Sequence, residues 1–256
     1  MKMILRHIVP LILLLFGMYI PSLSQPTLKL QYSYLHAPEF DKIFQTYNTS
    51  RPWQKDQLYP LTHGYAGILG WNWRVQKAHE IHLLPQLGYT RFATQVSPEG
   101  QSLVAGMHLI SLGVQIRMHP KAIFKQVQNA GPLGTRFYMS LGIEYNYLRP
   151  FVRRNKKTIP WSEDEKYSTY STQFSTSLGA GYHLFSFGQF LFTPEISVSW
   201  FPEIELNQFA EAVNGHNTTG LLNKNDNVIM LHGGLRITFV RKNKNWWDRP
   251  RTGDKT

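Results

Sequence analysis

Three sets of residues in this chain have types and spacing that could carry chemistry. His36, Asp41 and Ser50 share one irregular stretch. A serine nucleophile needs an adjacent base and a third group to orient that base, so this trio contains the residue types of acyl hydrolysis. His216 offers a second base, with Ser or Thr from elsewhere as its nucleophile. Spacing enforces neither arrangement, and unrelated loop residues are the plainer reading of both. His79 and His82 flank a turn with Glu80 between them. Imidazole binds zinc, but further ligands would be needed and none is fixed by spacing; on a strand the two rings would also face opposite sides. The chain has no cysteine, which excludes disulfides and thiolate zinc motifs. No catalytic residue, metal ligand set or cofactor follows from these patterns.

Charge is the third set. The segment RPFVRRNKK, Arg149 to Lys157, concentrates cations, and a basic tail with Trp246 and Trp247 runs from Arg241 to Thr256. The formal net charge is +11 with 14% aromatic residues. Such a balance suits anionic partners, yet no nucleic-acid-binding motif is present. A solvated loop and a frayed basic tail are the plain readings of the two segments.

What must position these residues is a set of strands. TRFYMSLGIEYNY, Thr135 to Tyr147, separates at every second position into two faces. One carries Phe137, Met139, Leu141, Ile143, Tyr145 and Tyr147; the other carries Arg136, Tyr138, Ser140, Gly142, Glu144 and Asn146. Period-two alternation of this length predicts a β-strand, and rings at both ends of an apolar face suit a strand crossing a bilayer. Seven further segments alternate in the same way, beginning near Leu28, Thr62, Ile81, Ile110, Gln173, Gln189 and Ile229. Phe40, Ile43, Phe44 and Tyr47, in the long segment after the first strand, have helical spacing. Arg149 to Lys166 and Glu203 to Asn227 are expected to be loops, and Phe185 to Gly188 a tight turn.

The first residues are an address. Lys2, Arg6 and His7 precede an apolar run from Ile8 to Ile20, and Ser22-Leu23-Ser24 supplies small residues for cleavage. This predicts a signal peptide over 1–24, a barrel over 25–240 and a basic periplasmic tail over 241–256. The run is short for a spanning helix and contains Pro10. Beyond it no apolar run is long enough to cross a bilayer as a helix, so a mature chain that enters a membrane must do so as closed β-structure.

Periodicity alone does not say which face points inward. A lipocalin-like barrel would place the apolar face inside. Three features favour the opposite: polar faces rich in Gly, Ser and Thr, inward charges able to pair with one another, and apolar faces that end in Trp and Tyr. The expected fold is all-β, an eight-stranded antiparallel transmembrane β-barrel with long extracellular loops. The inward charges then form a lumen network of Lys29, Arg74, Arg117, Arg136 and Arg236 with Glu144 and Glu195. Counting from the turn between their strands places Glu195 and Arg236 at similar depth.

The segments HLISLGVQIRMHP, RFYMSLGIEYNYLRP and VIMLHGGLRITF resemble small eight-stranded outer-membrane barrels, more narrowly the "porin family" or PorT-like barrels of Bacteroidota. The resemblance implies a structural, adhesive or complex-forming protein of the outer membrane, or a subunit of a secretion or surface-assembly machine. Some such barrels act on lipid A, but the His-x-Ser pair of the barrel deacylases is absent. Lipid and lipopolysaccharide are the expected partners, with other envelope proteins alongside and no nucleic acid. Arg149, Arg153, Arg154, Lys156 and Lys157 are candidate lipopolysaccharide contacts.

Overall fold

The first and last strands pair with each other. In the computed structural model, which describes residues 24–50, 57–76, 81–96, 103–120, 136–154, 157–158, 171–204, 210, 213 and 226–240, the long strands are β1 (Ser24–His36), β2 (His63–Gln76), β3 (Ile81–Val96), β4 (Leu103–Met118), β5 (Phe137–Arg154), β7 (Ser171–Tyr182), β9 (Phe190–Ile204) and β10 (Asp226–Phe239). Each pairs antiparallel with its neighbour in chain order, and β10 pairs with both β9 and β1, closing an eight-stranded barrel. Two short pieces extend it: β6 (Lys157–Thr158) on β5 and β8 (Phe185–Phe187) on β9.

The side chains divide as the alternation requires. Leu141 is 52% exposed whereas its neighbour Ser140 is 4% exposed. Leu30, Leu69, Leu87, Leu112, Leu178 and Leu231 likewise face outward. A continuous apolar surface around a closed barrel has no counterpart in water and suits lipid. Tyr32, Tyr65, Tyr89, Tyr145 and Trp200 border it at one end; Trp71, Phe187 and Phe190 border it at the other. The barrel is therefore transmembrane, and the lipocalin-like arrangement does not hold.

Several strands run past the predicted limits. Arg149 to Arg154, expected in a loop, continue β5: Leu103 opposes Arg154 and His108 opposes Arg149 in register with β4. Charge does not interrupt a strand that has already left the bilayer, where an outward side chain such as Arg149 meets water. Phe185 to Phe187 is likewise a short strand. It enters a hairpin at Gly188, whose φ of 60° is the left-handed value glycine adopts without steric cost.

Between β1 and β2 lies helix α1 (Pro38–Thr49). Pro38 sits in its first turn, where the missing N–H is no loss. Ile43, Phe44 and Tyr47 form its apolar stripe and are buried. They join Leu58 and Leu61 in one core with the inward residues Phe92, Met107, Leu109, Leu148, Phe201 and Met230. Asn48 holds the returning chain by both amide atoms, accepting from Leu58 N–H at 2.8 Å and donating to its carbonyl at 3.0 Å. The helix thus seats an apolar plug in the mouth at the loop end. Residues 1–23 and 241–256, which hold nearly all of the expected signal peptide and the whole tail, lie outside the described residues.

Candidate functional site

Toward the turn end the lumen holds one carboxylate among three cations. Glu195 enters from β9 with Thr193 and Ser197 flanking it on the same face. Arg236 of β10 grips it with two bonds, Nε to Oε1 at 2.7 Å and a terminal guanidinium nitrogen to Oε2 at 3.1 Å. Arg117 of β4 donates to Oε1 at 2.7 Å, and Lys29 Nζ of β1 lies 3.1 Å from Oε2. Tyr138 of β5 donates its hydroxyl to Oε1 as well. All five side chains are buried. Bonds converging on one carboxylate of β9 from four other strands tie opposite walls of the barrel together.

Around this centre the polar face forms further links. Arg117 Nε donates to Gln115 Oε1 at 3.3 Å, and Gln115 Nε2 donates to Ser140 Oγ at 2.9 Å. His232 lies 2.8 Å from Ser33 Oγ and 3.0 Å from Ser199 Oγ through its two ring nitrogens. Towards the plug is a cavity of about 30 Å³ lined by Lys29, Arg236, Gln86, Glu144 and His232 among others. That volume has room for about two water molecules.

Of the sequence-predicted network, Lys29, Arg117, Glu195 and Arg236 come together. Glu144 is inward but accepts from Gln86 Nε2 at 2.9 Å, on the far side of the cavity. Arg74 and Arg136 are not among Glu195's partners. Arg74 sits half-buried opposite His82 near the turn end. Arg136, just before β5, donates to the Leu184 carbonyl at 3.5 Å. Arg74 lies in the same ladder row as Arg117 but two strands away, beyond His82, and Arg136 is turned to that carbonyl. Tyr138 belongs to the network although only its inward parity could have signalled it. From Tyr138 to Asn146 it is the one ring on a face of β5 otherwise made of small and polar residues.

Alternation puts His82, His119 and His183 on inward faces without bringing them together; at the turn end His119 stands between His82, at 6.1 Å by ring centroids, and His183, at 5.7 Å. His183 Nδ1 lies 3.0 Å from Thr193 Oγ1. Among the described residues no group of three His, Cys, Asp or Glu side chains could hold a metal ion. His79, Glu80 and His216 lie outside the described residues.

The hydrolytic trio does not assemble. Asp41 lies in the first turn of α1 and Ser50 caps its end, so at 1.5 Å per residue they stand about 13 Å apart along the axis. Ser50 Oγ donates to the Tyr47 carbonyl at 2.8 Å. Burial in the mouth pushes the Asp41 carboxyl up, with His36 pulling the other way.

Arg149 is exposed where β5 leaves the apolar belt. Arg153 and Arg154 are the last residues of β5 and Lys157 the first of β6, which pairs with it, and Lys156 lies outside the described residues.

No family model matches this chain, and no curated protein matches it. Among solved structures it is similar to small eight-stranded outer-membrane barrels. Neisserial surface protein A (NspA) aligns at 13% identity over 84% of this chain and 97% of that one, with a TM-score of 0.42. Ail, the attachment invasion locus protein of Yersinia pestis, in complex with the heparin analogue sucrose octasulfate, aligns at 10% identity over 84% and 97%, with a TM-score of 0.41. The N-terminal β-barrel domain of Pseudomonas aeruginosa OprF aligns at 10% identity over 83% and 98%, with a TM-score of 0.31.

Proposed function

We propose that the chain is an integral outer-membrane β-barrel protein with a structural, adhesive or complex-forming role, neither an enzyme nor a pore. The observation that carries this reading is a lumen filled twice over, by the Glu195 cluster toward the turn end and by the α1 plug at the loop end. Eight strands enclose little more than their own inward side chains. On this reading the turn end faces the periplasm and the loop end faces outward, since barrels of the outer membrane keep short turns on the periplasmic side and longer loops outside.

Planar bilayers test it: the purified protein should give no steady openings of porin size. Large, stable, voltage-independent steps would overturn it. The narrower likeness to PorT-like barrels rests on the strand segments around His108, Arg136 and Val228 and points to a subunit of a secretion or surface-assembly machine. Copurification from native membranes separates that subunit from a free-standing barrel. A lipid A-modifying enzyme is the remaining reading, and the separation of Asp41 from Ser50 weighs against it. Unchanged lipid A by mass spectrometry, with and without the protein, is the expected result.

A further inference from the structure

Outside the barrel, one row of side chains crosses three strands at the loop-end border of the apolar belt. Arg91 of β3 lies opposite His108 of β4, and His108 lies opposite Arg149 of β5. Each is the first outward residue past the belt on its strand, next in line after Tyr89, Ile110 and Tyr147 respectively. Arg91 and Arg149 are exposed, and His108 is half-buried. Neighbouring strands lie about 4.8 Å apart, so the outer two backbones are only about 10 Å apart. Both guanidinium groups can therefore reach one tetrahedral anion.

The row is held in place by rings. Phe151 stacks on His108 with centroids 4.5 Å apart, and the Arg91 guanidinium carbon lies 5.8 Å from the centroid of the same ring. Tyr89 brings its hydroxyl to 2.6 Å from His108 Nδ1. Phe151 can lie flat because its partner across the ladder is Gly106, where a Cβ would collide with the ring. Among the described residues no carboxylate pairs with Arg91 or Arg149. The acids of the belt-spanning segments, Glu144 and Glu195, both point inward.

Two arginines with no carboxylate partner among the described residues, set beside apolar surface and rings, match a lipid whose phosphate sits directly above its acyl chains. We propose that Arg91, His108 and Arg149 form a binding site for the phosphate groups of lipid A in the outer leaflet. The site rests on the outer-membrane reading above, which turns the loop end to that leaflet. Arginine supplies planar paired donors to the phosphate oxygens, and Tyr89, Ile110 and Tyr147 line the acyl chains.

The test uses the full-length mature protein in phosphatidylcholine nanodiscs carrying either bisphosphorylated lipid A or the same lipid A stripped of phosphate. Lipid retained per barrel is read by native mass spectrometry. The wild type should retain the phosphorylated form at least about tenfold better, and Arg91→Gln with Arg149→Gln should bring the ratio within about twofold. Either single change, at an exposed position, should lower the ratio by at least about threefold. Arg136→Gln, at the opposite rim, should leave it unchanged. Excess inorganic phosphate should leave the retained lipid in place. Equal retention of both lipids by the wild type, an undiminished ratio in the double variant, or displacement by inorganic phosphate would each overturn the site. Failure of the wild type to insert would overturn the outer-membrane reading too, whereas insertion without phosphate preference would overturn the site alone.

Discussion

Arg236 and Glu195 are diagonal neighbours across β9 and β10, Glu195 standing opposite Gly234 and Arg236 opposite Thr193. The offset lets the guanidinium lie along the lumen axis and present two nitrogens to the carboxylate. The two residues are not equivalent to their surroundings. Removing Arg236 leaves Glu195 with Lys29 and Arg117, but removing Glu195 strands three cations. Breaking a buried ion pair costs about 3–5 kcal/mol, so Glu195→Gln should fall at or above that range and Arg236→Met below it. Unfolding of the detergent-solubilised barrel measures both. A double-mutant cycle should show clear coupling, and simple addition would mean that the contact contributes nothing.

Tyr138 reaches Glu195 by lying across Gly181 of β7, its direct partner in register. A Cβ at Gly181 would collide with the ring. Gly181→Ala is therefore expected to cost about 1–3 kcal/mol, the range for overpacking a filled site. In a Tyr138→Ser background the same change should cost far less. Equal costs in both backgrounds would show that the ring is free to move aside.

Leu141 faces lipid within the apolar stretch of β5, with Leu178 and Ile116 beside it on the neighbouring strands. Leu141→Arg should cost about 2–4 kcal/mol, as for a basic residue at the midplane of a barrel's lipid face. A stable, water-soluble Leu141→Arg protein obtained without detergent would be incompatible with a spanning barrel.

Phe44 is the most enclosed ring of the plug. Phe44→Ala should destabilise the mouth by about 3–5 kcal/mol, seen as faster amide exchange in α1. Conductance should nevertheless stay at baseline, because the Glu195 layer lies beneath the plug and is untouched. Channel activity in this variant would make the helix, not the charge layer, the seal.

Much of this architecture is legible in the chain because a barrel writes its facing into every second residue. Alternation alone assigned Leu141 outward and Ser140 inward, and counting from one turn brought Glu195 near Arg236. The same count could not exclude Arg74 and Arg136, since parity gives facing but not which side chains meet. Nor does it say where a helix outside the sheet will pack. Ile43, Phe44 and Tyr47 show a stripe, but only the apolar inward ends of the strands, Phe92, Met107 and Leu148, reveal the surface that stripe covers. The stretch Arg149 to Arg154 misled because its charge implied a loop, while its backbone follows the ladder that β4 offers.

The closure of the barrel has a consequence for how it is assembled. Lys29 stands directly opposite Arg236 where the first strand meets the last. Two like charges face each other across the seam, and the carboxylate that reconciles them arrives on β9, immediately before the final strand. That seam joins parts of the chain separated by nearly its whole length, so its closure carries the largest entropic cost of any strand pairing. A nascent barrel with β10 absent or out of register would leave Glu195 facing Lys29 without its two-pronged partner. A chain that has not finished its last strand would thus lack the strongest bond in its own lumen, and the final ring closure is the step at which a correctly paired barrel is told from an incomplete one.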